Sequence, residues 1–382
     1  MTPIRIATAI LVLSSACKSP TEAPGVMRPQ TIALLATPKA IYDFSRPDVA
    51  VAHFFQRYMP LMGHAAEVVV ILGVGNSDHV LQYRGIDGWD DEVEWARTTD
   101  HIPTSDRVLD YHQLAEIVRS FKDHATAAGI NFKIYDLVDS GGEFTLFNVF
   151  KYHNHPECIA NAWESFDVRA RLHADDRSYA SAPNGISEGT LCGEFLVDQL
   201  SHYLNDLGFD GILYKNQLGT RGRWTPGNGP GYTAAEAAGI EVFLEYSERV
   251  LTGKDIMWFD SYNNTRIERE TFSFPSGGYR YFDYLVAAGF CVVTDEYRYL
   301  DNLRSKLQIQ ERPAILATLD YVDPWYTYNS ATSFPGESAR LEEIALRYRF
   351  HIDGIMLFAN DEAGALIPRH LVESFASRYF GL

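Results

Sequence analysis

The chain has 382 residues, enough for one large barrel or for two ordinary domains. Apolar residues make up 46% of it, which supports a sizeable core and argues against global disorder. The formal net charge of −17 argues against a nucleic-acid partner, whose phosphates need a basic surface, and against adhesion to anionic lipid. The 13% aromatic content fits a surface that stacks on sugar rings, although core packing accounts for most aromatic side chains in any large domain.

Residues 1–17 are typical of a signal peptide. One Arg precedes the apolar run IATAILVLSSA, which is too short to span a bilayer permanently. Small residues directly before Cys17 resemble the lipobox of bacterial lipoproteins, in which that Cys carries the lipid, except that Ser14 stands where an apolar residue is usual. Ordinary secretion is the alternative interpretation. Either one places the folded part outside the cytoplasm, with a lipid at Cys17 as the expected membrane contact. Residues 18–30 are polar and Pro-rich and predict a flexible tether.

The cysteine pattern excludes a disulfide-framework protein. Cys158 and Cys192 flank one long irregular stretch, and an exported protein can bridge them. Cys291 lies in the apolar run FCVV and is expected to be a buried small hydrophobe. A metal site formed by His153, His155 and Cys158 is a minor alternative, since no second pair at ligand spacing appears.

The remaining chain, 31–382, alternates short apolar runs with helical patterns and predicts a single-domain (β/α)₈ barrel. An open doubly wound sheet is the alternative. The helical patterns cover 48–63, 110–129, 189–208, 233–251, 279–289, 299–310, 338–349 and 369–380. The eight predicted strands are 31–44, 66–76, 131–139, 209–216, 255–263, 290–297, 314–325 and 352–361.

Two features organise this barrel. The sequence Asp-Gly-Ile recurs at the starts of the fourth and eighth predicted strands, so Asp210 and Asp353 are interpreted as structural residues of the N-terminal face. The connections 77–109, 140–187 and 217–232 are long and follow strands, so they are expected on the C-terminal face, where barrel enzymes build their sites.

Acids lie at the C-terminal ends of six of the eight predicted strands, and this ring is the main functional signal. Paired carboxylates at one mouth suit glycoside hydrolysis, a metal site or plain sugar binding, while helix capping is the structural alternative for any one of them. The polar residues at predicted strand ends are Asp43, Asp136, Asp139, Asn216, Asp260, Asp295, Glu296, Asp320, Asp323 and Asp361.

The eight strands, the acid ring, GFDGI at 208–212 and MWFDSYN at 257–263 resemble exported (β/α)₈ glycoside hydrolases, loosely of the dextranase or endo-β-N-acetylglucosaminidase type. In the dextranase type the fourth strand ends in a nucleophilic Asp, and Asn216 stands at that place. In the endo-β-N-acetylglucosaminidase type it ends in a Glu acid, near the place of Gln217. The stretch Trp258 to Ser261 is similar to a Trp-Tyr-Asp-Ser stretch of the fifth strand. No catalytic role is carried over from either family.

We therefore predict a glycosidase or transglycosylase in which Asp260 and Glu296 are the catalytic pair. Asp260 follows Trp258 by two residues, so an inward acid would share its face with an inward ring. No cofactor or metal is expected, the substrate is a glycan, and the oligomeric state is left open. The alternatives are a glycan-binding lipoprotein that does not cleave and a metal-dependent hydrolase. The expected substrate-binding residues are Asp43, Asp136, Asn216, Gln217, Arg221, Trp224, Trp258, Asp295, Asp320, Trp325 and Asp361.

Overall fold

A computed structural model of the chain describes the barrel strands, five long helices and several short connecting segments. The described residues are 30–36, 41, 46–72, 80–82, 108–138, 156–158, 168–173, 188–215, 234–260, 278–287, 313–319, 346, 349–350, 352–360 and 365–382.

Eight parallel strands close into a barrel, as the sequence predicts, and form a single domain. The strands are β1 Thr31–Ala36, β2 Glu67–Leu72, β5 Phe132–Val138, β6 Gly211–Lys215, β7 Asp255–Asp260, β8 Tyr284–Ala287, β9 Ala314–Leu319 and β10 Gly354–Phe358. Each strand pairs in parallel with its two neighbours in the order β1-β10-β9-β8-β7-β6-β5-β2. Two further strands, β3 Val80–Gln82 and β4 Val108–Asp110, pair with each other in parallel within the region predicted to be a long loop.

Alternate residues of the barrel strands build two separate apolar layers, because side chains of a strand point to opposite faces in turn. The outer layer lies between the strands and the helices and includes Ile134 and Trp258. The inner layer fills the barrel and consists of Ala33, Leu35, Val69, Ile71, Tyr135, Leu137, Leu213, Met257, Phe259, Tyr284, Val286, Leu316, Met356 and Phe358. The barrel is thus a packed core and not a pore.

Five of the predicted helices are confirmed, namely α1 Pro47–Met62, α2 Tyr111–Ala128, α3 Cys192–Leu207, α4 Ala234–Val250 and α5 Arg369–Phe380. The predicted C-cap glycines are confirmed too, since Gly129 (φ 68°) and Gly208 (φ 79°) adopt the left-handed conformation that ends a helix. The predicted helix 299–310 and most of 338–349 lie outside the described residues.

Three aspartates clamp pairs of neighbouring strands at the N-terminal face. The carboxylate of Asp210 accepts a hydrogen bond from the Ile134 amide at 3.0 Å, and the Asp210 amide donates to the Ile134 carbonyl at 2.7 Å. Asp283 makes the same two bonds with Ile256, and Asp353 makes them with Ile315. This confirms the structural interpretation of Asp210 and Asp353.

The predicted sixth strand is wrong. The barrel uses Tyr284–Ala287, inside the segment 279–289 that was predicted to be a helix, and not residues 290–297. A strand of four residues that is apolar on both faces has no clear alternation, so its period cannot be distinguished from that of a helix. Asp283 marks the start of β8 instead, because its hydrogen bonds to Ile256 of β7 fix where β8 begins.

A disulfide joins Cys158 to Cys192, with 5.8 Å between their Cα atoms, and both residues are fully buried. The bridge ties the short 3₁₀ helix Pro156–Cys158 to the first turn of α3. Beside it, residues 168–172 pair with 189–193 through four backbone hydrogen bonds of 2.8 to 3.0 Å. The connection between β5 and α3 is therefore cross-linked both covalently and by hydrogen bonds.

Candidate functional site

The predicted catalytic residue Asp260 is the last residue of β7, at the C-terminal rim of the barrel. Its backbone pairs with Ala287 of β8, and on the other side β7 pairs with β6, which ends at Lys215. Because all eight strands are parallel, their C-terminal ends share one rim. Asp260 thus has a position in the fold at which barrel enzymes place catalytic groups, and its side chain lies outside the described part of the molecule.

The prediction that the Trp258 ring faces inward and binds substrate is wrong. Trp258 is 1% exposed, and its ring stacks on Phe282 at 5.4 Å in the layer between the barrel and the helices. The inward residues of β7 are Met257 and Phe259. The inward and outward positions of β7 were therefore assigned the wrong way round. Trp258 fills the outer layer, and position 260, two residues on, is in the same outward register, so the predicted inward acid beside an inward ring is wrong.

Asp136 is also unsuited to the substrate-binding role predicted for it. It alternates along β5 with the inward-facing Tyr135 and Leu137, so it lies on the outward side of the strand. It is 3% exposed, which leaves no access for a ligand at the mouth.

The structure changes the context of the second predicted catalytic residue. The sixth barrel strand ends at Ala287, before Asp295 and Glu296 are reached. Likewise, β1 ends at Ala36, before Asp43 is reached, and β10 ends at Phe358, before Asp361. By contrast, Asp139 and Asp320 directly follow in sequence the last residues of β5 and β9. The predicted residues outside the described part are Cys17, Asp43, Asn216, Gln217, Arg221, Trp224, Asp295, Glu296, Asp320, Trp325 and Asp361.

The described interior of the barrel is apolar toward the C-terminal rim. The inward residues nearest that end include Leu35, Ile71 and Leu137. The rings of Phe259 and Phe358 meet edge to face there, with their centroids 6.4 Å apart. In the described part of the chain, this apolar layer lies beneath any site at the C-terminal rim.

Charged groups occur at the opposite end of the barrel interior, in what we call the basal cluster: Glu67, Lys133, Tyr135, Asp255 and Tyr284. The Lys133 ammonium lies 2.5 Å from an Asp255 oxygen and 3.1 Å from a Glu67 oxygen. The Tyr135 hydroxyl donates to the same Asp255 oxygen, and the Tyr284 hydroxyl donates to Glu67. Each charged group of the cluster thus has at least two polar partners.

The electrostatics of the basal cluster favour the charged state of its lysine. Burial disfavours the ammonium, but the hydrogen bond to Asp255 and the nearby acidic groups outweigh it and hold the pKa of Lys133 above its ordinary value. Burial also raises the pKa of Tyr135, with Asp255 adding to the effect. Because the cluster lies at the N-terminal end of the strands, it is placed to stabilise the barrel rather than to act on a substrate.

Sequence reasoning missed the basal cluster entirely. Its signal is the charged residue at or near the start of each of three largely apolar strands, at Glu67, Lys133 and Asp255. A glycine supports the arrangement: a Cβ at Gly211 would lie 2.6 Å from the Tyr135 ring, so β6 begins with the residue that leaves room for that ring.

The metal alternative at 153–158 loses its sulfur ligand, because Cys158 is disulfide-bonded. Within the described ranges, no group of three or more His, Cys, Asp or Glu side chains is arranged to hold a metal ion. In the same ranges no helix has the length and hydropathy needed to cross a membrane.

Comparisons with known proteins give structural neighbours but no sequence relatives. No protein-family model matches the chain, and no curated protein matches it. The neighbours include α-amylases and chitinases, which are glycoside hydrolases with barrels of this kind. An α-amylase from Geobacillus thermoleovorans is 10% identical, with a TM-score of 0.45 and coverage of 93% of this chain and 79% of that one.

Two further neighbours show how different the proteins with a similar fold are. A chitinase catalytic domain from the fern Peteris ryukyuensis is 11% identical, with a TM-score of 0.42 and coverage of 91% of this chain and 98% of that one. A Rubisco-like protein from Rhodopseudomonas palustris is 9% identical, with a TM-score of 0.38; the match covers 93% of this chain but only 63% of that one. At these identities and scores the neighbours carry no argument about activity. The barrel itself is established by its strand pairing.

Proposed function

We propose that the protein is a glycoside hydrolase that cleaves a poly- or oligosaccharide at the C-terminal rim of the barrel. The single observation that carries the proposal is the set of acids at or directly after strand ends on one rim, with Asp260 ending β7 and Asp139 and Asp320 following β5 and β9, over the apolar packing of a closed barrel. The long connections after β5 and β6 leave from the same rim and supply enough chain to enclose a sugar. The high aromatic content of the sequence also supports this function.

The chemistry requires a second carboxylate. One carboxyl group protonates the glycosidic oxygen, and the other attacks the anomeric carbon or activates water, at separations of about 5–5.5 Å for retention and about 6.5–9.5 Å for inversion. We propose Asp260 as one member of the pair. Glu296 is the partner expected from sequence, whereas Asp139 and Asp320 are the acids that follow strand ends directly. These three residues are the candidates that mutagenesis should separate.

The rest of the rim is proposed to bind the sugar. Asn216 and Gln217 follow β6, next to β7, and supply amides that hydrogen-bond hydroxyl groups. The net charge of −17 favours neutral over anionic glycans through long-range repulsion. Arg221, Trp224 and Trp325 are proposed to line subsites.

The test is the activity of Asp260→Asn, a variant that keeps the shape of the side chain and removes its charge. Reducing-sugar release from an active glycan should fall at least about a hundredfold, as expected for loss of a general acid or nucleophile. Asp48→Asn, at an exposed position in the first turn of α1, is the matched control and should keep wild-type turnover. Full turnover by a folded Asp260→Asn enzyme would contradict the site assignment.

A protein that binds glycans without cleaving them is the second candidate. The specific observation in its favour is Asn216 after β6, where the glycosidases that the sequence resembles carry an acid. Saturable binding of a glycan by the wild-type protein, with no product after prolonged incubation, would establish this alternative.

We also propose that the protein is exported, with a lipid on Cys17. The signal-like residues 1–17 support export. So does the buried Cys158–Cys192 disulfide, because such bridges persist in oxidising compartments and are rare in the cytoplasm. Cys17→Ser should abolish incorporation of a labelled fatty acid; continued labelling of that variant would exclude the assignment of the lipid to this residue.

A further inference from the structure

The residue through which the chain enters the barrel is held firmly in place. Gln30, the last residue of the predicted tether, is 2% exposed. Its side-chain amide donates to the carbonyls of Ile352 at 3.3 Å and Arg349 at 3.4 Å, and its side-chain oxygen accepts a hydrogen bond from the Tyr379 hydroxyl. Its backbone carbonyl accepts a hydrogen bond from the Ala66 amide at 2.9 Å. Gln30 is therefore part of the folded domain, and the tether ends where these hydrogen bonds begin.

These hydrogen bonds lie at the N-terminal face of the barrel. Gln30 directly precedes β1, and Ala66 directly precedes β2. The Thr31 amide donates to the carbonyl of Asp353 at 2.8 Å, beside the clamp that Asp353 forms on β9. Residues 18–29 lie outside the described part of the chain, but the residue to which they lead is fixed at this face. The predicted tether thus joins the barrel on the side opposite the C-terminal rim.

The height of the helical layer separates these two faces. Helices α1 and α2 have 16 and 18 residues, which at about 1.5 Å per residue gives a height of about 24–27 Å. As a flexible chain, residues 18–30 have a root-mean-square span of about 20 Å, from about 5–6 Å times the square root of the residue number. The predicted tether is therefore shorter on average than the layer along which it would have to run to bring the rim to its anchor.

We infer that the lipid-anchored protein is held with the N-terminal face of its barrel toward the membrane and the C-terminal rim away from it. The partner is a lipid surface, and the contact is the lipid proposed on Cys17, on which this inference rests. The barrel surface itself adds no adhesion to anionic lipid, because the net charge of −17 opposes it. Together with the proposed function, this orientation means that the substrate approaches from the side away from the membrane and is not the headgroup of a lipid in that membrane.

The test compares two labelled positions on the full lipid-modified protein, reconstituted into phosphatidylcholine vesicles. A donor fluorophore is attached through a genetically encoded azido amino acid in place of Ala128 or of Asp48, so that all four cysteines stay unchanged. Both positions are exposed. Ala128 is the last residue of α2, at the N-terminal face, and Asp48 is the second residue of α1, at the rim side. The acceptor fluorophore is carried by the lipid headgroups.

We expect energy transfer from position 128 to exceed that from position 48 at least about twofold, because transfer falls steeply with distance and the two heights differ by about 20 Å. Equal transfer from the two positions of the vesicle-bound protein, or greater transfer from position 48, would overturn the orientation and leave the lipid assignment intact. A protein that does not associate with the vesicles would overturn the lipid at Cys17 and the orientation together.

A longer tether is the matched control. Insertion of about 30 Gly and Ser residues after Gly25 leaves the barrel, the labels and the lipid unchanged and raises the root-mean-square span to about 35 Å. The difference between the two positions should then shrink, and an unchanged difference would contradict orientation by the tether. The measurement does not depend on catalysis, so Asp260→Asn should give the same transfer values as wild type. Failure of the proposed glycosidase activity is therefore distinguishable from failure of the orientation.

Discussion

The basal cluster supports a quantitative prediction for Lys133→Met, which keeps the length of the side chain and removes its charge. The Lys133 ammonium is shared by Asp255 and Glu67. The side chains of Lys133, Asp255 and Glu67 are 32%, 24% and 17% exposed. Breaking a fully buried ion pair costs about 3–5 kcal/mol, and an exposed pair contributes about 0–1 kcal/mol. These intermediate exposures place the expected loss of unfolding free energy at about 2 kcal/mol.

The assay is urea unfolding at pH 7 followed by circular dichroism. The control is Arg369→Met, which removes an ion pair whose side chains are 54% and 49% exposed and should cost less than about 0.5 kcal/mol. Adding Asp255→Asn to Lys133→Met should recover part of the loss, because it removes a carboxylate that has lost its cation. A Lys133→Met protein no less stable than the Arg369→Met control would show that the basal cluster does not stabilise the fold.

Three further predictions concern stability. Burial raises the pKa of Tyr58, Tyr135, Tyr214 and Tyr379 in the folded state, so above pH 10 the unfolded chain loses protons that the folded chain keeps. Stability should then fall by about 1.4 kcal/mol per buried tyrosine per pH unit, with tyrosinate absorbance rising together with unfolding; gradual titration of a folded protein would contradict this. Replacing both Cys158 and Cys192 by Ser should cost about 4 kcal/mol in urea unfolding, from the separation of 34 residues that the bridge closes; a loss below about 1 kcal/mol would mean that the reduced chain is already constrained. Gly129→Ala should lower the unfolding free energy by about 1 kcal/mol through the left-handed backbone alone, since no atom lies within 4 Å of the added Cβ. Gly129→Asn should lower it less, because Asn adopts this conformation more readily. Equal stability of the wild type and both variants would argue against that conformation.

The barrel could be predicted because its strands are short apolar runs separated by clear helix signals. Runs such as Glu67–Leu72 and Gly354–Phe358 have few alternatives once their flanking glycines and helices are recognised. The exception is Tyr284–Ala287, which is too short to show its period and is fixed instead by the side chain of Asp283.

The site was harder to predict because it depends on which face each residue occupies. Trp258 and Asp136 were placed in the mouth by their position near strand ends, but a shift of one residue moves a side chain from the interior to the outer layer. The neighbours of each strand decide this: Met257 and Phe259 face inward, so Trp258 packs outward.

The basal cluster shows a second limit of sequence reasoning. Lys133 and Asp255 are 122 residues apart, and nothing near either residue in sequence indicates the other. Their contact follows only from closure of the barrel, which brings the starts of distant strands to one end.

Cleavage of glycosidic bonds can be tested by early-time proton NMR of the wild-type protein with a panel of neutral and amino-sugar glycans. We expect new anomeric signals from one glycan within the first minutes, in one anomeric configuration, and their absence with Asp260→Asn. The configuration would show retention or inversion and so fix the carboxylate separation to expect. A glycan whose signals broaden with no new anomeric resonance would contradict cleavage and establish binding alone.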